Sequence, residues 1–150
     1  MESRLSKESV LRDCLIKQEL TIADFENEIA SLRQDIFTHN PEPAEAHPSA
    51  VSRGEVLIRL ENELDFLKNE LATLEELDAQ TTFSKVQPGA IVVTNQRTFF
   101  ISVSIEELEV NGQQVFGLSV NAPIYEVLMG KKKGDSFEFN GLSYEILDVY

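Results

Sequence analysis

The chain predicts an α+β fold, a long helical hairpin followed by a small antiparallel sheet domain, on three observations. Apolar residues recur at spacings of three and four through two long stretches of the first half, and a proline-rich break separates the stretches. Beyond residue 80 the apolar period changes to two. The predicted division is a hairpin over 1–80, with its tip loop at 38–51, and a sheet domain over 81–150.

The first helical stretch carries Leu11, Leu15, Ile22, Phe25, Ile29, Leu32 and Ile36, with the polar Gln18 interrupting the series. That is a heptad seam. A second series, Leu57, Leu60, Leu64, Leu67, Leu71 and Leu74, repeats the spacing, with Glu61, Glu63, Lys68 and Glu70 placed elsewhere on the helix. Residues 8–37 would make a helix about 45 Å long at 1.5 Å per residue, and 52–77 one slightly shorter. Two helices of matched length joined by a break should pair antiparallel within one chain. Pro41, Pro43 and Pro48 supply the stop, since each lacks an N–H and pushes the residue before it out of the helical region. The stretch "SRGE", 52–55, has capping-box spacing and predicts that Ser52 starts the second helix; Ser6 or Ser9 would cap the first.

After Asp78 the stretch "DAQTTFSKVQPG" leads into segments rich in Val, Ile, Phe and Thr. "AIVVTN", "TFFISVSI", "QVFGLSV", "SFEFN" and "LSYEILDVY" read as strands. "VNGQ" and "FNGL" carry the Asn-Gly signal of two-residue hairpins. Between strands, "PIYEVLMG" reads as a short helix with Pro123 in its first turn and Gly130 beyond its end.

Charge narrows the partners. Thirteen Lys and Arg face 26 Asp and Glu, a net charge of -13. Of these, 8 basic and 18 acidic residues fall within 1–80, which places a net -10 there and -3 in the remainder. Duplex nucleic acid is a poor partner for such a chain, because binding it requires a clustered basic face that releases counterions. Cys14 is the only cysteine, so neither an internal disulfide nor a cysteine-based zinc site can form, and it reads as a small buried residue. No stretch approaches the roughly 18 uncharged apolar residues of a membrane span, and the first residues lack an apolar signal core. A cytoplasmic location and a monomer are the expectations.

At "GLSVNAPIYEVLMGKKKGDSFEFNGLSYEILDVY", residues 117–150, the chain resembles the C-terminal domain of the Gre family of bacterial transcript cleavage factors, GreA and GreB. Ser119-Val120-Asn121, Pro123-Ile124, Leu128, Gly130-Lys131 and Gly134-Asp135, followed by a closing strand that ends in tyrosine, carry the likeness. The resemblance implies an FKBP-like sheet domain after the hairpin. It implies a bacterial RNA polymerase partner too: the globular domain grips a coiled coil at the rim of the secondary channel, and the hairpin enters that channel as a regulator of transcription elongation. The surface around Ser119, Asn121, Pro123, Ile124 and Tyr125 is then the candidate polymerase-binding site.

Cleavage-competent members of the family carry a tip motif resembling Gly-Asp-Leu-x-Glu-Asn-Ala-Glu-Tyr, whose carboxylates help the polymerase hold a second magnesium ion. This chain lacks it. Glu42 and Glu45 are the only acids between Thr38 and Val51, and Pro43 between them disfavours a helical pairing of the two. They are weak catalytic candidates, and no cofactor of the chain's own is expected beyond a magnesium shared with the polymerase. The expectation is a regulator without catalysis of its own, which at most stimulates cleavage by the polymerase.

His39 and His47 sit in the same loop, and exposed, solvated histidines are the simpler reading than metal ligands or pH sensors. Lys131 to Lys133 read as a solvated hairpin connection before Gly134-Asp135. Two rivals stand beside the Gre-like reading. An FKBP-like peptidyl-prolyl isomerase would need an apolar pocket, to which Phe99, Phe100, Phe116, Phe137, Phe139 and Tyr144 are the available contributors. A coiled-coil interaction module would use the heptads alone.

Overall fold

A computed structural model describes residues 4–38 and 48–150. Its architecture is α+β: two long helices, then a six-stranded mixed sheet with one short helix. Helix α1 spans Lys7–Thr38 and α2 spans Pro48–Glu75. Strands β1 Ile91–Thr94, β2 Thr98–Ser102, β3 Ile105–Val110 and β4 Gln113–Ser119 follow, then α3 Pro123–Leu128, β5 Ser136–Phe139 and β6 Leu142–Val149. By packing the chain forms two compact units. One is Met1–Ile16 with Ala72–Tyr150, and the other is Lys17–Leu71. The sheet unit therefore includes the first turns of α1 and the last turn of α2.

In the helical unit the two helices run antiparallel, as Gln18 meets Leu67 and Glu70 while Arg33 meets Glu61. Ile22, Ile29 and Leu67 are buried, and Phe25, Leu32, Leu60 and Leu64 are half-buried. Two helices alone cover only one stripe of each other, so the flanks of the seam stay wet. Two expectations change here. Gln18 does not interrupt the seam but occupies it, 3% exposed, and Glu70 lies on the buried face at 8%. The Gln18 amide donates to the Leu67 carbonyl at 3.0 Å and to a Glu70 carboxylate oxygen at 3.4 Å, which makes their burial tolerable. Ser52 does not start α2. The helix begins at Pro48, whose fixed φ suits a first helical turn and whose missing N–H costs nothing there.

In the sheet unit, Ser6 is the cap of α1, its Oγ accepting from the Ser9 N–H at 3.3 Å. The strand order is β3-β4-β2-β1-β6-β5. Alternation along the strands builds two apolar faces. Val92, Phe99, Ile101, Ile146 and Val149 point to the side that carries Ile124, Tyr125 and Leu128 of α3. Ile91, Phe100, Val115 and Tyr150 point to the other, where Leu5, Val10 and Cys14 at the start of α1 and Leu74 at the end of α2 complete a second core. The Leu5 N–H donates to the Tyr150 hydroxyl at 2.8 Å. Arg4 donates twice to Asp148, at 3.0 and 3.1 Å. Lys7, only 6% exposed, donates to the Thr81 carbonyl at 2.6 Å with its ammonium over the Phe83 ring.

The Asn-Gly turns stand where the sequence places them: Asn111 and Gly112, and Asn140 and Gly141, all have positive φ. The sheet differs from the all-antiparallel expectation in one pair, since β2 and β4 run parallel. "TFFISVSI" is not one strand. It ends at Ser102, and β3, "IEELEV", begins at Ile105 and forms the sheet edge beyond β4. Three glutamates hid β3 from the period-two reading, although charge is a normal feature of edge strands. β4 thus inserts between β2 and β3, and the chain linking those two must cross over it. Gly117 permits the crossing: a Cβ there would lie 2.4 Å from the Val103 carbonyl oxygen and 2.9 Å from the Ile105 Cβ.

Candidate functional site

The residues that carry the motif of 119–135 form one continuous turn-helix-turn unit. Ser119 ends β4, its Oγ accepting from the Asn121 N–H at 3.1 Å and its carbonyl from the Ala122 N–H at 3.0 Å. Ala122 caps α3 without a side-chain bond, and Pro123 takes the first helical position. The helix stops where the Met129 N–H reaches the Tyr125 carbonyl, and Gly130 follows at φ +79, a conformation that favours glycine. Backbone bonds from Val86 to Lys131 and from Gly130 to Val86 pin this exit to the segment that precedes β1. Asp135 closes the unit, its carboxylate accepting from the Lys132 N–H at 2.9 Å.

Of the five candidate binding residues, Asn121 and Pro123 are exposed and Ser119 is half-buried. Ile124 and Tyr125 are core residues, 9% and 7% exposed, and burial pushes the Tyr125 phenol up. The structure therefore brings all five together but leaves only part of them for a partner. Sequence reading passed over the exposed apolar neighbours Val120, at 42%, and Met129, at 61%. Their signal was positional: Val120 directly follows β4, and Met129 lies one residue past the end of an amphipathic helix.

The tip candidates Glu42 and Glu45, with His39 and His47, lie outside the described residues. Among the described residues no group of three or more His, Cys, Asp or Glu side chains is placed to hold a metal ion. No described helix is long and apolar enough to cross a membrane. The aromatic residues considered for an isomerase pocket mostly pack inward: Phe99, Phe100, Phe137 and Tyr144 are buried, and the Phe137 and Tyr144 rings stack at 4.7 Å. A cleft of about 420 Å³ beside β5 and β6 touches those two rings, but its other lining residues are Asn95, Ser136, Glu138, Ser143 and Glu145.

No family model matches this chain, and no curated protein does. Among solved structures, GreA factor homolog 1 of Thermus thermophilus is similar over 91% of this chain and 94% of that chain, at 10% identity and a TM-score of 0.34.

Proposed function

We propose that this protein is a Gre-like transcription factor that binds bacterial RNA polymerase and places its helical hairpin in the secondary channel. The observation that carries the reading is the motif of 119–135. Ser119, Pro123, Gly130, Gly134 and Asp135 each serve that turn-helix-turn unit, through a hydroxyl that accepts from the Asn121 N–H, a proline in the first helical turn, two glycines at positive φ and a carboxylate that accepts from the Lys132 N–H. The order of elements, two long antiparallel helices before a six-stranded mixed sheet with one short helix, agrees with it. An acidic hairpin entering a basic channel is favoured by charge complementarity. The partner surface is the one around Asn121 and Pro123, with Val120 and Met129 as apolar contacts. A cytoplasmic monomer fits this role.

Because the acidic tip motif of cleavage factors is missing, the protein regulates by occupying the channel rather than by supplying carboxylates to a second magnesium ion. The test is transcript shortening in a backtracked elongation complex, with the protein alone and then with a competent Gre factor. Inhibition of the competent factor without shortening is expected. Shortening by the protein alone would move Glu42 and Glu45 into a catalytic role, and a Glu42→Ala, Glu45→Ala variant should then lose it. No effect of either kind would reject channel binding.

A further inference from the structure

Residues 81–150 contain five cations, and the fold gathers four of them at one place. Lys131, Lys132 and Lys133 follow α3, and an isolated antiparallel bridge pairs Lys132 with Lys85. Antiparallel bridged residues lie about 5 Å apart at their Cα atoms, and like charges directly opposite each other destabilise the pair. Lys85, Lys132 and Lys133 are exposed and Lys131 is half-buried. Among the described residues none of the four forms an ion pair; the nearby Asp148 is already held twice by Arg4. In a chain of net charge -13, four lysines at one corner are a local inversion of the surface, with Asp135, bonded to the Lys132 N–H, and Asp148, which feels the Lys133 charge, as the acids beside them. Met129, 61% exposed, sits two residues before the first of the consecutive lysines.

We propose that Lys85, Lys131, Lys132 and Lys133, with Met129 beside them, form a docking surface for an acidic protein segment that carries an apolar residue. Charge complementarity selects the acid, and an exposed methionine supplies an adaptable apolar contact of the kind enriched at protein interfaces. Nucleic acid fits less well. The cluster has no arginine, and the exposed large apolar side chain beside it is a methionine rather than an aromatic on which bases stack. At physiological salt the Debye length is about 8 Å, so the lysines act mainly on a group in contact with them. Met129 is shared with the corner proposed for the polymerase, whereas Lys85, Lys132 and Lys133 are not among its contacts, so the lysine variant tests this surface separately from that reading.

The experiment measures binding of the full chain to three fluorescent probes at physiological salt. One is a helical peptide of glutamates with leucines along one face, the second has glutamines in place of the glutamates, and the third is a short single-stranded RNA. The glutamate peptide should bind best, and a Lys85→Ser, Lys132→Ser, Lys133→Ser variant should bind it about tenfold more weakly. Relief of like-charge repulsion should leave the Tm of that variant unchanged or raised. Met129→Ser should weaken the same probe about threefold without altering the salt dependence. Tighter binding of RNA than of the glutamate peptide, equal binding by variant and parent, binding of no probe, or a lowered Tm in the triple variant would each overturn the proposal.

Discussion

The sheet unit and the helical unit use the same kinds of apolar residue and bury them to different depths. In the sheet unit Val92, Ile91, Ile101, Val115 and Leu128 are fully buried, because each face of the sheet is covered by helix. In the helical unit the seam is narrow, most of its apolar side chains stay partly wet, and a buried glutamine and glutamate share it. Burial of apolar area is the dominant stabilising term, so the sheet unit should hold most of the stability. The less obvious lesson is that the sheet unit is discontinuous. Residues from both ends of the hairpin complete its second core, and a division of the chain by element order would cut through that core.

The largest effect should come from making that cut. Residues 81–150 alone would leave Ile91, Phe100, Val115 and Tyr150 without Leu5, Val10, Cys14 and Leu74, and should show no cooperative thermal transition by circular dichroism. Residues 1–16 joined to 72–150 by a short flexible linker should restore one. A cooperative, monomeric transition in the isolated 81–150 fragment would break the comparison.

Within the intact chain, Phe100→Ala should cost about 3–5 kcal/mol in denaturant unfolding, since the side chain is 2% exposed in a packed core. Leu64→Ala, at a half-buried seam position, should cost roughly 1–2 kcal/mol. Equal losses at the two sites would show that the seam is as tightly packed as the sheet.

The polar pair sharpens the comparison further. Gln18→Ala removes the amide from the buried Glu70 carboxylate and should cost about 1–3 kcal/mol, whereas Gln18→Leu with Glu70→Leu should be neutral or stabilising. A double-mutant cycle on Tm and denaturant midpoint reads the coupling. Additive losses would mean that the two side chains act independently.

The smallest effect concerns pH. Burial alone would raise the Asp148 carboxyl, but the Arg4 hydrogen bonds and charge outweigh it and hold the group below its usual value. Because the folded value lies below the unfolded one, the stabilisation is complete above the unfolded pKa of about 3.9 and is lost as pH falls through the folded value. Arg4 is about half exposed, so the pair contributes at most about 1 kcal/mol. Asp148→Asn should lower the Tm slightly at pH 7 and reduce the difference between parent and variant on acidification below pH 4.

Much of the fold was legible because it rests on local chemistry. The heptad leucines, the Asn-Gly turns and the short helix between Pro123 and the terminating Gly130 each declare their conformation within a few residues. What was not legible depends on distant partners. Nothing near Gln18 announces that Glu70 will face it, and nothing near Gly117 announces that the chain at Val103 will cross over it. The glutamates of β3 read as polar surface because an edge strand is recognised by its place in the sheet. The candidate site was legible as a motif. Its exposure was not, since burial of Ile124 and Tyr125 follows from the core on which α3 lies.

The most direct measurement is binding of the full chain to core RNA polymerase by fluorescence anisotropy, with a competent Gre factor as competitor. Saturable binding that the competitor displaces, and that Asn121→Lys with Pro123→Glu weakens by about tenfold or more, is the expected result. Absence of binding, or binding that neither the competitor nor the substitutions change, would contradict a channel factor that docks through this corner of the sheet unit.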